Sequence, residues 1–416
     1  MVIIKKLFCC VESIRNLNKK LQSLQLHLFA QQQPHYYRAL MLVLALLGFV
    51  YLLAFPLAAM ATLMQLIHVS RQPLSQEIMM TCIGWCGLFI FFVAMSHHVI
   101  SLKLPAPRGL TLKPDKAPKL FELLTANQQG WFWPRISAVI ITEKFELEIR
   151  KIPVCGIPVW SRNVLVIGLP VTQCLPQAYF EIVLQRKLVQ FAKGRNIISN
   201  WLYQLSYVWS LYPIALSARR LLGDQLLYGF FKCYASRYKR YSVYSSQRDE
   251  LLADTLSLAN VNDIDLFKSV ETQYLAQYFL QNYYFPLLLD MICKQGADAG
   301  SLSPFTRLPK TYRKMMLAQR MTQWLEKMRR YQVNTRNAEP PLSQRMENMG
   351  QSKIRLPDIQ QSCAAEVLFG KNYTAICTLI DKTWAMKIDN QFKSLSGHKR
   401  KSTDVSTTPP LSLNAA

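Results

Sequence analysis

Two unbroken apolar stretches mark the first quarter of the chain. Residues 39–67 (ALMLVLALLGFVYLLAFPLAAMATLMQLI) and 78–102 (IMMTCIGWCGLFIFFVAMSHHVISL) contain no Asp, Glu, Lys or Arg. Each exceeds the ~20 residues that cross a bilayer as a helix, which predicts two transmembrane helices joined by a short external loop, 68–77. The first run starts too late and is too long for the apolar segment of a cleaved leader. Pro56 falls inside it, and His97 and His98 sit near the end of the second, where polar residues at the interface are expected. Ahead of the first span, Ile14, Leu17, Leu21, Leu24 and Leu28 recur at helical spacing, so 1–38 reads as a basic amphipathic segment, broken at Gln31–Pro34.

Beyond residue 102 the periodicity changes several times. A Pro-rich connector leads to a helical pattern from Ala117 (APKLFELLTANQQ). Two β-branched runs follow, 137–142 (SAVIIT) and 163–168 (NVLVIG), with 155–160 as a loop or third strand. From Leu175 the apolar residues Phe180, Val183, Leu184, Leu188 and Phe191 fall at helical spacing, and similar patterns cover 197–220, 225–258, 264–294, 309–331 and 363–387. Over 309–331 the positions Leu317, Met321, Trp324, Leu325 and Met328 oppose Arg313, Arg320, Lys327 and Arg330, as in a domain helix with a solvated basic face. The expected fold is α+β and predominantly helical: a two-helix hairpin, a domain with a small sheet over 103–387, and a disordered basic tail over 388–416.

Charge refines this picture. The formal net charge is +24, and 42 Lys or Arg against 23 Asp or Glu follow residue 100. A domain so basic and tethered beside a bilayer suits anionic lipid headgroups, whereas nucleic acid lacks any supporting motif. Lys5, Lys6, Arg15, Lys19, Lys20 and Arg38 precede the first span, only Arg71 lies in the loop, and Lys103, Arg108, Lys113 and Lys116 follow the second. That bias puts both termini and the main domain in the cytoplasm. Ten cysteines without a Cys-x-x-Cys pair indicate neither a disulfide framework nor a structural zinc site.

Several segments, taken in order, resemble the HtpX and CAAX-prenyl-protease type of membrane zinc peptidases. RGLTLKPDKAPKLFELL resembles the family's first domain helix, EKFELEI its F-N-A segment, and WSRNVLVIGLPVTQCLPQAYFEIVLQ the strand leading into the catalytic helix. DELLADTLS resembles the E-x-x-A-D helix, EPPLSQRMENMG the T-H-P-P-x-x-x-R segment, and SCAAEVLFG the S-A-A-E-x-L-L-G segment. The resemblance implies a zincin-like domain in a bacterial inner or plasma membrane, engaged in protein quality control, with a strand around Phe145, Glu146, Leu147, Glu148 and Ile149 bordering the substrate cleft. It also implies a zinc cofactor held by H-E-x-x-H, whose histidines share a helix face and whose glutamate takes a proton from metal-bound water. Here those positions are Arg186, Lys187 and Gln190, and the family's T-H-P histidine is Glu339. Glu250 stands at the third-ligand position and Asp254 at the supporting aspartate, while no histidine occurs between His98 and His398. No zinc is expected.

The reading that follows is a catalytically inactive homologue binding a membrane protein, a client or a peptidase partner. An active hydrolase using Ser245 or Ser246 with Lys187, and a basic membrane-surface module, are the alternatives. Because a carboxylate left without its metal needs another cation, Arg186 or Lys187 should lie within about 4 Å of Glu250 or Asp254. Topology can be checked with reporter fusions. A reporter at Pro73 and one at Ala416 are expected to label from opposite sides of the membrane; labelling of Pro73 from the cytoplasm overturns the charge argument.

Overall fold

The computed structural model describes residues 25–72, 75–127, 135–154, 161–192, 197–219, 222–259, 261–295, 298–330, 339–351, 353–359 and 361–402. Most of the amphipathic segment expected over 1–38, part of the 68–77 loop and the 155–160 stretch lie outside them. Helix α1 (Pro34–Ser70) opens on Pro34, whose missing N–H costs nothing in a first turn. Helix α2 (Gln76–Ile100) is capped by Ser75, whose Oγ accepts Ile78 N–H at 3.3 Å. Both are long and apolar enough to cross a membrane. At 1.5 Å per residue they extend about 55 and 37 Å, so α1 is longer than a ~30 Å hydrocarbon core requires.

The domain is built on a four-stranded mixed sheet in the order β1-β2-β4-β3, formed by β1 (Leu110–Leu112), β2 (Ile136–Thr142), β3 (Leu147–Pro153) and β4 (Ser161–Gly168). Strands β2 and β4 are parallel, while β1 and β3 pair antiparallel at the two edges. Central β4 buries four successive residues, Val164 to Ile167, as a strand covered on both faces must. Its last residue, Gly168, sits where a Cβ would come 1.9 Å from the Lys144 carbonyl oxygen, so only glycine fits. The chain then runs through α3 (Leu169–Cys174) into α4 (Gln177–Ala192), with Phe180, Leu184 and Leu188 buried in the same core as Val139, Ile141 and Ile167.

Next come α5 (Ile197–Arg219) and α6 (Leu222–Leu258), an antiparallel pair. Only the C-terminal part of α6 reaches the main core, through Leu258. Trp209, Tyr212, Phe231 and Tyr238 instead form a second core with Tyr37, Met41 and Leu52 of α1 and Met95 and Val99 of α2. Tyr234 Oη donates to Leu44 O at 2.5 Å, Tyr51 Oη to Leu226 O at 3.4 Å, and Tyr37 Oη to Tyr241 O. The main core is completed by α7 (Asp263–Phe279), a π-helical turn (Leu280–Tyr284), α8 (Phe285–Gln295), α9 (Pro304–Met315), α10 (Ala318–Arg329), α11 (Leu342–Asn348), α12 (Ala364–Phe369) and α13 (Tyr373–Ser402).

Three expectations from the sequence need correction. The single helix expected over 309–331 is two: Met316 leaves helical geometry, Leu317 is extended and exposed, and Arg320 Nη1 takes up the Met315 carbonyl at 3.1 Å. Of the tail expected to be disordered over 388–416, the described part, to Ser402, continues α13, whose buried stripe Ile380, Trp384, Ala385 and Ile388 runs into it; 403–416 lie outside the described residues. Finally, the single helix expected over 363–387 is two, α12 and α13, parted at Gly370, whose φ is +50°. β3 continues the strand expected around 145–149, whereas β1 was not foreseen. β1 is only three residues long, too short for its alternation to register.

The second core depends on a close approach at Gly48, where a Cβ would lie 2.8 Å from both the Trp209 ring and Tyr234 Oη, whereas Gly87 on α2 faces open space. Gly48→Val is therefore expected to destabilise by about 1–3 kcal/mol through overpacking, and Gly87→Val to leave stability unchanged. Thermal unfolding in detergent, followed by tryptophan fluorescence, distinguishes them; equal melting temperatures refute the packing argument.

Candidate functional site

Helix α4 turns its apolar residues Val183, Leu184 and Leu188 into the main core. Its polar residues Arg186 and Gln190, one turn apart, therefore share the face that meets α6. Opposite them on α6 are Glu250 and Asp254, also one turn apart, and both are buried. The contacts expected from the sequence are present. Arg186 Nε donates to Asp254 Oδ1 at 2.5 Å and Arg186 Nη2 to Glu250 Oε2 at 2.5 Å, with a further bond to the Glu250 carbonyl at 3.2 Å. Lys187 Nζ reaches Glu250 Oε1 at 2.6 Å, and Gln190 Nε2 donates to the same oxygen at 2.9 Å.

A fourth partner was not foreseen. Arg345 on α11 grips Asp254 with two nitrogens, Nε to Oδ2 at 2.8 Å and Nη2 to Oδ1 at 2.7 Å, and is itself buried. Its guanidinium lies over the Tyr274 ring, 5.5 Å from the centroid, and Tyr274 Oη donates to Pro340 O. The sequence signal was available, since Arg345 is the arginine that closes the EPPLSQR segment.

Burial alone would raise the Glu250 carboxyl, but Lys187, Arg186 and Arg345 overcome it and hold Glu250 well below the ordinary carboxylate range. For Arg345 burial opposes the charge, yet Asp254 and Tyr274 keep it firmly protonated. Glu339 differs. Burial pushes its carboxyl up, Lys187 opposes that and the Glu250 charge adds to it. Arg186, Lys187 and Arg345 thus surround Glu250 and Asp254, with Glu339 a third carboxyl whose ionisation is disfavoured.

This donor set does not fit the zinc that the family resemblance implies. Every carboxylate oxygen of Glu250 and Asp254 already accepts a charge-assisted bond, and the helix positions facing them carry a guanidinium, an ammonium and an amide. A metal would have to displace cations from both carboxylates. Lys187 Nζ is likewise engaged by Glu250, not by the Ser245 or Ser246 hydroxyl that it would serve as a base.

The segment proposed as a cleft border forms the β3 edge of the sheet. Phe145, Leu147 and Ile149 pack into the main core. Glu146 and Glu148 pair with Arg150 at 2.7 and 2.9 Å, and Arg150 covers the Tyr207 ring at 4.8 Å. The outer edge is partly closed. Gln204, buried on α5, accepts Lys151 N–H at 3.0 Å and donates to Ile149 O at 3.2 Å, so its amide occupies the place of a neighbouring strand.

Removing one partner from a buried charge cluster strands the other, so Arg186→Leu is expected to cost about 3–5 kcal/mol. Glu339→Gln should be neutral or stabilising at neutral pH, because it removes a carboxyl whose ionisation burial disfavours. Glu250, with its lowered pKa, contributes stability above the unfolded-state value of ~4.3 that is lost as pH falls below it. Denaturant titration of the three proteins between pH 7 and 3 checks all of this; an Arg186→Leu variant as stable as the parent at pH 7 contradicts it. In comparisons with known proteins, no family model, no curated protein and no solved structure matches the chain.

Proposed function

We propose that this chain is a catalytically inactive, membrane-anchored homologue of the HtpX and CAAX-prenyl-protease type zinc peptidases, with both ends of the α1–α2 hairpin on the cytoplasmic side. Its role is to bind a membrane protein, a client or a peptidase partner. The observation that carries the reading is Arg186. In the family pattern this position holds the first zinc ligand, and here its guanidinium bridges Glu250 and Asp254, the two acidic positions of the same pattern. The cation bridge does structurally what a metal would do, tying α4 to α6, without offering an open coordination position for water or substrate.

The proposal bears on how a partner binds. An extended peptide adding to β3 must first displace the Gln204 amide, giving up two hydrogen bonds each worth on the order of 1 kcal/mol net. Partner binding through loops and helix faces of the domain needs no such displacement.

Restoring the motif tests the ancestry directly. The parent is expected to carry no stoichiometric zinc. Arg186→His/Lys187→Glu/Gln190→His, with Glu250 retained, is expected to bind zinc one to one and to release it to chelator, as measured by elemental analysis of protein purified from membranes. A folded triple variant that takes up no zinc, or a parent that holds it, overturns the reading.

A further inference from the structure

The β3 edge of the sheet has a fixed height beside α1. Tyr234 is bonded to Leu44, Tyr51 to Leu226 and Tyr37 to Tyr241, so α6 runs antiparallel to α1. Helix α5 pairs with α6 in turn: Tyr238 Oη donates to Leu202 O at 2.9 Å, and Trp209 stacks on Phe231 with ring centroids 5.6 Å apart. Gln204 of α5 therefore lies within about one helical turn of the level of Leu44. Leu44 itself is about 8 Å inside the uncharged run of α1, which begins at Ala39 just after Arg38. Gln204 holds Ile149 and Lys151, and Arg150 covers the Tyr207 ring one turn further on. The β3 edge thus stands at the level where α1 enters an apolar medium.

Charge at this place runs against the rest of a chain whose formal net charge is +24. Glu146, Glu148, Glu250, Asp254 and Glu339 meet Arg150, Arg186, Lys187 and Arg345, one cation fewer. Arg150 holds Glu146 and Glu148, Arg186 bridges Glu250 and Asp254, Lys187 takes Glu250, and Arg345 takes Asp254. Glu339 is left over. It has neither a hydrogen bond nor an ion pair among the described residues, and the cations whose charge acts on it most, Lys187 and Arg345, are engaged by Glu250 and Asp254. The charges of Glu250 and Glu148 add to the burial that pushes its carboxyl up. The residue is half-buried, not sealed from solvent. A carboxyl in such surroundings is satisfied by a cation, and here the cation has to come from outside the described fold.

We propose that the place where β3, α4 and Glu339 meet binds the Lys- or Arg-rich cytoplasmic flank of another membrane protein's spanning helix, with one basic side chain paired to Glu339. The assignment rests on the reading that α1 and α2 anchor a cytoplasmic domain that binds a membrane protein, and it specifies that partner's chemistry. The height of the β3 edge confines the bound segment to the first residues beyond a span, and on the cytoplasmic side those residues are enriched in Lys and Arg. A helix anchored in the same bilayer also presents its flank at high effective concentration, which a free basic peptide does not. Pairing with Glu339 adds a charge-assisted hydrogen bond and breaks none of the six ion pairs around it. An anionic headgroup in the same place would face an unpaired carboxyl.

Designed transmembrane peptides test this. The full chain is reconstituted into neutral phosphatidylcholine vesicles with a Leu/Ala helix of about 20 residues, flanked at both ends by lysines or, in a second peptide, by glutamines. Association is read as energy transfer from the chain's tryptophans to a coumarin on the peptide. The Lys-flanked peptide is expected to associate about tenfold more tightly than the Gln-flanked one, an ion pair's worth of ~1.4 kcal/mol. A carbodiimide, which couples an amine only to a carboxyl in contact with it, is expected to join a peptide lysine to Glu339, as located by mass spectrometry on the unaltered chain. Glu339→Gln, with an unchanged or higher melting temperature, should bring Lys-flanked association down to the Gln-flanked level. Equal association of the two peptides, Lys-flanked association that survives Glu339→Gln, or coupling only at other carboxyls overturns the site. Any of these leaves the inactive-homologue reading standing, since the zinc content of the parent and the triple variant decides that separately. Equally tight association of a soluble Lys-rich peptide without the spanning helix overturns the juxtamembrane assignment.

Discussion

The domain turns on a problem of charge burial. Glu250 and Asp254 are removed from water at the contact of α4 and α6, and neither could remain ionised there alone. Arg186 resolves most of the problem with one planar group. A guanidinium presents donors in a fixed fork, so Nε and Nη2 reach two carboxylates on successive turns of α6. A lysine could not do this, and Lys187 accordingly serves only Glu250. Arg345 then completes Asp254 from α11, so a segment some ninety residues further along the chain is fastened to the same point. Three helices are located by one cluster.

Such a cluster is not a strong source of stability, since desolvation of its members offsets much of the Coulomb gain. Its contribution is to geometry. Apolar side chains of suitable volume could fill the same space in several arrangements, whereas the fork of Arg186 accepts its two partners in one. The Gln204 amide acts similarly on the β3 edge. A strand with exposed backbone groups invites pairing with another chain, and two bonds from a buried side chain suppress that without adding a strand.

How much of this was legible in the sequence depended on the range of the interaction. The two apolar helices follow from an uninterrupted local pattern, and their limits in the structure fall within a few residues of it at three of four ends. Strand β4 was equally readable, because burial on both faces leaves an apolar run. Strand β3 was expected through the family resemblance, and its local pattern agrees, since Phe145, Leu147 and Ile149 alternate with Glu146, Glu148 and Arg150, which pair with one another on the other face. The Arg186 bridge was legible only because the order of segments suggested that α4 and α6 meet. Arg345 was missed although it closes the EPPLSQR segment of the same resemblance, because its local pattern does not show which acidic residue it meets. The break at Met316 depends on an arginine reaching back to a carbonyl, which periodicity does not register.

Helix α6 carries both environments on one continuous rod. Tyr234 is bonded to α1, and sixteen residues later, about 24 Å along the axis, Glu250 receives Arg186. No proline or glycine interrupts the chain between them, and the helix has no hinge there. A rotation of α6 by a small angle at Tyr234 must therefore reappear as a rotation of the Glu250 and Asp254 carboxylates, against a fork that tolerates little misalignment. The tilt of the apolar helices and the alignment of the buried charges are mechanically a single coordinate.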